Sequence, residues 1–378
     1  MSADVILVIV VATALAFDFT NGFHDTANVV ATSISTRAIG PRRAIAIASV
    51  LNFVGAFISL KVAATVGKGF VDTHAVTSTV VYAGLLGAIA WNLLTWYVGL
   101  PSSSSHALIG GLVGSVIAAR GWGAASGNGI LMKLVLPAVV SPLVAFVAAW
   151  LAVILVYRIV RSVRPGGVSR GFKLGQVVSG GLLALSHGTN DAQKTMGLIT
   201  LALVASGKLN PSHFHVPIWV VIAAATAISL GTFTGGWRII KTMGTKIISM
   251  DPAQGFVAQT AGAAVILASS RGGFPLSTTH VISGGIAGAG AGKRLSAVRW
   301  GVAGEIVTAW VLTLPCAAVV AGVVFEVVSL FGSGDAGPIV LSGVLVVALV
   351  AVFRSARGGP RSRVTAVLAQ PDGEAPPA

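Results

Sequence analysis

The sequence predicts an all-α integral membrane protein made of two helical halves in inverted topology, each with a broken or re-entrant helical hairpin. Three observations carry that prediction. Hydrophobic residues make up 54% of the 378 and charged ones only 10%, with a mean hydropathy of +0.88, so little of the chain can form a water-soluble domain. Apolar segments of membrane-spanning length recur from end to end. Two pairs of polar motifs appear once in each half, in the same order.

Apolar stretches fall at about residues 3–20, 44–66, 75–99, 130–157, 175–205, 216–236, 254–270, 299–330 and 338–353. The first lacks the basic start and small-residue cleavage site of a secretory signal, so it reads as a spanning helix. It is expected to continue past a break near Gly22 to about Thr36. Two shorter glycine-rich segments, 101–119 and 275–291, begin at prolines and read as broken or re-entrant helices. The abundance of glycine, 47 residues, suits helices packed closely through small side chains. The stretch 158–173 reads as a basic loop, and the polar, proline-rich segment after Arg357 as a disordered tail. The chain therefore divides into a first repeat over 1–165, a second over 166–355 and a cytoplasmic tail over 356–378.

A net charge of +14 could suggest a nucleic-acid partner, but the basic residues lie in short loops between apolar segments, which argues against one. Loops 37–43, 158–173, 237–250 and 293–299 and the tail from Arg354 are basic, whereas 67–74, 206–215 and 331–337 are poor in Lys and Arg. Basic loops belong in the cytoplasm, which puts the N-terminus outside and the C-terminus inside the cell membrane. The assignment requires 101–119 and 275–291 each to contribute a crossing. The helix carrying Asp25 then runs inward and the helix carrying Asp191 outward. The single cysteine, Cys316, rules out an intramolecular disulfide and any multi-cysteine metal centre.

"NGFHDTAN" (21–28) aligns with "HGTNDAQK" (187–194), sharing the glycine and the aspartate. "GLPSSSSHALIGGLVG" (99–114) aligns with "GFPLSTTHVISGGIAG" (273–288) at seven of sixteen positions, where chance gives roughly one or two. The offsets are similar, 166 residues for the first pair and 174 for the second. Opposite helix directions make this an inverted repeat, the architecture of secondary transporters, whose substrate sits between the halves near the midplane.

His187, Asn190, Asp191 and Lys194 are spaced i, i+3, i+4, i+7 and share one helix face inside an apolar segment. A charge at bilayer mid-depth costs roughly 2.5–3.5 kcal/mol, so such a face looks into protein or a wet cavity. Asn21, His24, Asp25 and Asn28 form the matching face, whose oxygens suit a hard monovalent cation or a proton. A purely structural network, with Asp191 and Lys194 simply paired at i, i+3, is the plainer account of the same residues. In the second motif, Ser103, Ser104, Ser105, Ser277, Thr278 and Thr279 bring hydroxyls and free N–H groups to a helix start, where about half a positive charge attracts anions. Hydroxyls there also merely cap helices, but duplication within two membrane segments favours a shared oxyanion site. His106 and His280 read as hairpin-holding residues that bond a carbonyl rather than a metal. Glu305 is an acid in an apolar span that could couple to the ion or bridge two copies in a homodimer.

Together the motifs resemble the inorganic phosphate transporter (Pit) family, whose signature is roughly G-A-N-D-V-A-N-A in each half. The likeness extends over nearly all of the chain to about residue 353. It implies an inverted-repeat fold with two re-entrant hairpins and symport of inorganic phosphate with Na⁺ or H⁺, in some bacterial members as a divalent metal–phosphate complex. Carried over position by position, Asp25, Asn28, Asn190 and Asp191 fall on the signature, and the hydroxyls of 103–105 and 277–279 on the hairpin tips. His24 and Lys194 stand where the signature has asparagines, and this tilts the expected coupling ion from Na⁺ to H⁺. No enzymatic activity and no resident cofactor or metal is expected. A branch of the family carries sulfate, the main alternative. Phosphate is favoured because its hydroxyl protons can be accepted by Asp25 or Asp191, whereas fully ionised sulfate is only repelled. An anion channel would lack ion coupling, and an intramembrane serine hydrolase would not need two copies of its nucleophile.

Overall fold

Fourteen α-helices make up the fold in the computed structural model, which describes residues 3–210, 214–332 and 336–357. In chain order they are α1 (Ala3–Ser35), α2 (Pro41–Gly55), α3 (Lys61–Lys68), α4 (Ser78–Val98), α5 (Ser104–Arg120), α6 (Gly127–Ile130) and α7 (Leu136–Val160). The second half holds α8 (Pro165–Ala205), α9 (Ile218–Thr234), α10 (Trp237–Lys241), α11 (Pro252–Gly272), α12 (Thr278–Lys293), α13 (Trp300–Ser329) and α14 (Ala336–Arg357). Among the described residues the sole β-type pairing is a single bridge, Val71 to Ala125.

Asp4–Ser35, Ser78–Val98, Gly127–Val160 and Trp300–Ser329 are each long and apolar enough to cross a bilayer. Helix α9 and Trp237–Lys246, bent by 62° at the break between them, reach that length and apolarity only when taken together. The faces of α7 and α13 expose Val139, Leu143, Val147, Leu151, Val311, Val319 and Val323. Continuous apolar exposure of this kind fits hydrocarbon rather than water. Glu305 lies exposed on α13, so it does not join the buried polar residues of α1 and α8.

Three sequence expectations are corrected. Helix α1 runs unbroken through Gly22. Gly22 serves close packing instead, because a Cβ there would strike the backbone of Ile228 and Gly231 on α9. The segment 44–66 is two helices rather than one span: α2 ends at Gly55, and α3 starts where Gln193 Oε1 accepts the N–H groups of Val62 (2.8 Å) and Ala63 (3.2 Å). The basic stretches 158–173 and 237–250 are largely helix ends, with only Arg161–Arg164 between α7 and α8, and with α10 running into a π-helical turn over Thr242–Lys246. The tail expected over 356–378 lies outside the described residues from 358 on.

Helices α1 and α8 lie side by side in opposite directions. Asp4 pairs with Lys208 at 2.7 Å, and Asp25 lies 3.9 Å from His187, so residue numbers fall on one helix as they rise on the other. The basic loops collect at one end. Thr36 bonds Gln176, Gln176 bonds the Pro252 carbonyl, Asp251 accepts from Tyr157 and Lys293, and Arg299 bonds the carbonyls of Thr245 and Lys246. The opposite end holds the Asp4–Lys208 pair, and Lys68 at the end of α3 stands over the ring of Phe214, 5.0 Å from its centroid.

Helices α4 and α5 form a hairpin whose open end is tied at that second end by Asp72 N–H to Ala124 O and Ser126 N–H to Phe70 O. Helices α11 and α12 form another, open at the basic end, where Lys293 reaches Asp251 and Gln254 bonds Ala289 O. Each short helix thus returns the chain to the end from which its hairpin started, as the loop charges require. Both hairpins turn on a glycine with left-handed backbone, Gly99 (φ 74°) and Gly273 (φ 76°), a conformation that a side chain disfavours. In both, the next residue donates back to the helix, Leu100 to Thr95 O and Phe274 to Ser269 O, which closes the same C-terminal motif twice. Glycines then let the returning helices nest: α5 lies against α13 through Gly110 and Gly114, and α12 against α7 through Gly284 and Gly288.

Candidate functional site

The two hairpin tips meet between α1 and α8. Ser105 Oγ donates to the carbonyl of Leu276 in the other tip (3.0 Å), and His106 stacks edge-to-face on His280 with ring centroids 4.7 Å apart. Each tip begins its helix in the same way. Ser103 accepts from His106 N–H (3.1 Å) and Ser277 from His280 N–H (3.3 Å), so both act as N-caps while their own hydroxyl protons remain to donate. His280 also lies 3.3 Å from the Ala138 carbonyl and stacks on Trp310, the hairpin-holding role expected of it.

The next two hydroxyls of each tip reach the motif helices. Ser104 Oγ donates to Asp25 Oδ2 at 2.6 Å. Thr279 Oγ1, from the opposite tip, donates to Asp25 Oδ1 at 3.4 Å and accepts from Asn28 at 2.9 Å. Thr278 Oγ1 accepts from Asn28 at 3.3 Å and donates to Asp191 Oδ2 at 3.5 Å. On α8, Lys194 Nζ donates to Asp191 Oδ1 (2.6 Å), to Leu276 O (2.7 Å) and to Ser105 Oγ. Each tip therefore touches both motif helices, and each motif helix touches both tips.

His24 pairs with Asp25 Oδ1 at 2.7 Å through Nδ1, and its Nε2 lies near Thr95 and Ser102. His187 Nδ1 meets Asn52 Oδ1 at 3.1 Å, while its Nε2 faces Asp191 Oδ2 at 3.3 Å, close enough to pair but not aligned as a hydrogen bond. One donor atom each of Asp25, His187 and Asp191 lie within 4.8 Å of one another, a grouping that could hold a cation. Asn190 stands apart from this cluster despite sharing the helix face in sequence. Its amide donates to Ser270 Oγ (2.9 Å) and Phe274 O (3.2 Å), where it secures the second hairpin just before its tip.

Burial sets the energetics. His24, Asp25, Asn28, Asp191, Lys194 and the tip hydroxyls are all 0–2% exposed. Ion pairs so deep gain little net stability, but removing one partner is severe because the other charge stays desolvated. A centre with two carboxylates, one ammonium, hydroxyl donors and two helix starts can accept protons from an anion's hydroxyls while donating to its oxygens.

Sequence reasoning missed three contributors. Gln193 and Asn52 make long-range contacts that carry no local signal. Asp18 had a signal, since it is an acid two turns before Asp25 in an apolar helix. It is 0% exposed, and neither carboxylate oxygen has a hydrogen-bond partner.

A sequence model described as "Phosphate transporter family" matches residues 21–167 and 163–321. The chain is 48% identical over 355 residues to a "Probable low-affinity inorganic phosphate transporter" of Mycobacterium tuberculosis, covering 94% of this chain and 85% of that one. It is 45% identical over 328 residues to a protein of the same description in Bacillus subtilis, covering 86% and 98%. Among solved structures, "The sodium-dependent phosphate transporter" is similar at a TM-score of 0.78 and 26% identity, covering 86% of this chain and 99% of that chain.

Proposed function

The chain belongs to the phosphate transporter family, and from that premise we propose that it imports inorganic phosphate across the cell membrane by symport, with H⁺ rather than Na⁺ as the coupling ion. The observation that carries this reading is the junction in which both tips and both motif helices converge on Asp25 and Asp191. Phosphate would be held by Ser103, Ser104, Ser105, Ser277, Thr278 and Thr279 with the N–H groups of the two helix starts. Asp25 and Asp191 would accept its hydroxyl protons, which sulfate cannot supply.

Coupling would run through the face formed by His24, Asp25, Asn28, Asp191 and Lys194, with Asn190 holding the second hairpin beside it. Lys194 places a fixed ammonium against Ser105 of the first tip and against Asp191, which Thr278 of the second tip reaches. Such a charge attracts the anion and repels Na⁺ from that half of the site, while a proton can still bind Asp25, Asp191 or His24. The two halves are read as an inverted-topology repeat. The opposed α1 and α8, and hairpins open at opposite ends, support that reading. Rocking of one half against the other would then expose the junction to each side in turn.

A second form of cargo is favoured by the Asp25–His187–Asp191 grouping: phosphate travelling with a divalent cation. The test is uptake of radioactive phosphate into proteoliposomes under separately imposed gradients. An inward H⁺ gradient without sodium should drive accumulation, and uptake that appears only when Na⁺ is added would overturn the proton reading. Loss of uptake on chelating divalent cations, and its return with Mg²⁺, is the result expected of the metal–phosphate form.

A further inference from the structure

Three buried carboxylates occur among the described residues, and two of them are fully engaged. Asp25 is held by His24, Ser104 and Thr279, and Asp191 by Lys194, Thr278 and His187. Each of these two carboxylates therefore has a partner on both oxygens. The third, Asp18, is different. It is 0% exposed with no hydrogen bond or ion pair on either oxygen. The side chains of Asn21 and Thr195 stand beside it, and there Asn21 Oδ1 and Thr195 Oγ1 are themselves buried and unpartnered. An isolated carboxylate in such surroundings is strongly disfavoured, and neutralisation by a proton is the usual resolution. The carboxylic acid form has one O–H to give, and the neighbouring Asn21 and Thr195 carry buried oxygens without partners that are chemically able to accept it.

We propose that Asp18 is the group that carries the coupled proton, one step along α1 from the phosphate junction. The proposal deepens the proton-symport reading and rests on it. Seven residues of helix separate Asp18 from Asp25, about 10 Å of low-dielectric interior. Asp191 and Lys194, both on α8, are the charged groups that act on Asp18. Of the other helices against α1, α9 carries no titratable side chain, α4 only Tyr82 and Tyr97, and α14 none before Arg354; α2 carries Arg42 and Arg43, α5 His106 and Arg120, α10 and its π-helical turn Arg238, Lys241 and Lys246, α11 Arg271, and α12 His280 and Lys293. When Asp18 is ionised, the core holds three carboxylates against one ammonium and repels an incoming anion. A proton taken from the outer solution removes one of those negative charges and favours phosphate binding. Release of that proton to the inner solution restores the carboxylate and favours phosphate release. This asymmetry is what ties the proton to the anion.

Asp18→Asn keeps the shape of the neutral acid but cannot change charge. In proteoliposomes it should accumulate phosphate under an inward H⁺ gradient no better than without one, while phosphate-for-phosphate exchange, which needs no proton return, persists. Asp18→Glu should retain gradient-driven accumulation. Asp18→Asn protein that still accumulates phosphate against its gradient would overturn the proposal. So would loss of exchange together with accumulation, since that marks a structural residue. Infrared spectra give a readout independent of transport. The carbonyl band of a protonated carboxylic acid, shifting in D₂O, should be present in the wild-type protein near neutral pH and missing from Asp18→Asn; its presence in both overturns the proposal. Wild-type protein that fails to accumulate phosphate under any H⁺ gradient breaks the symport reading instead. If Asp18→Asn loses only a sodium-stimulated component, Asp18 is a sodium ligand and the proton assignment falls.

Discussion

Helices α1 and α8 carry the same glycine and the same aspartate at matched positions and part company three residues later, at Asn28 and Lys194. Both residues do one mechanical job, which is to reach across to a hairpin tip. Asn28 donates to Thr278 and Thr279, and Lys194 to Ser105 and the Leu276 carbonyl. They differ in charge. The amide leaves Asp25 on the α1 side with hydrogen bonds from hydroxyls and an imidazole, whereas Asp191 has an ammonium of opposite charge. The two matched motifs thus differ in their electrostatics. The α8 side has a built-in cation and the α1 side does not.

The largest expected effect follows from that difference. Asp191→Ala strands the Lys194 ammonium at 1% exposure and should destabilise the protein by about 3–5 kcal/mol. Asp25→Ala leaves only neutral donors unpaired and should cost about 1–3 kcal/mol. Thermal unfolding in detergent, read by a thiol-reactive dye at Cys316, compares the two. The double variant Asp191→Ala/Lys194→Ala should recover much of the loss. Equal destabilisation by the two single variants would remove the asymmetry drawn between the helices.

Next in size is the response to sodium. Lys194→Asn makes the α8 side resemble the α1 side, with an amide oxygen where the ammonium stood. Uptake by this variant should become sodium-responsive, and its accumulation should no longer be independent of Na⁺. If parent and variant respond to sodium alike, the ammonium is only a clamp on the tip.

The tips provide a smaller test of the same symmetry. Ser104→Ala and Thr278→Val each delete one hydroxyl facing a carboxylate, and each should weaken phosphate binding by about 1–3 kcal/mol. Binding of radioactive phosphate to purified protein measures this. Since both tips would hold one ligand, the paired variant should fall short of the sum. Two singles with unchanged affinity would leave the hydroxyls as caps and braces alone.

Features that repeat along the chain were legible in the sequence. The two P-x-S-[ST]-[ST]-H motifs marked both tips, and the i, i+3 spacing anticipated the Lys194–Asp191 pair found at 2.6 Å. Local patterns failed where distant side chains decide the outcome. The apolar run over 44–66 conceals a break, because the N–H groups at the start of α3 are taken by Gln193 from α8. Gly22 suggested a break where there is only a close helix contact, since a missing Cβ signals either. Asn190 shares a helix face with Asp191, yet Ser270 and Phe274 draw it to the second hairpin. Asp18 was overlooked because a lone acid outside a repeated motif looks unremarkable until its surroundings are known to be dry.

The smallest expected effect bears on the directions of the two helices, because it needs variants that transport normally. In a Cys316→Ala background, single cysteines go at exposed positions: Asp4 and Lys208 at one end, Arg43 and Ser162 at the other. The Asp4–Lys208 ion pair is well exposed, so losing it should barely affect the fold. Loop charge puts Arg43 and Ser162 in the cytoplasm, since the loops beside them are basic. An impermeant thiol reagent added to intact cells should therefore label Asp4→Cys and Lys208→Cys and spare Arg43→Cys and Ser162→Cys until the membrane is opened. The first pair joins the start of α1 to the end of α8, and the second follows α1 and precedes α8. Their segregation would mean that two copies of one motif enter the membrane from opposite sides. Labelling of Asp4→Cys and Ser162→Cys from the same side would contradict that, and with it the reading of Asn28 and Lys194 as inverted counterparts.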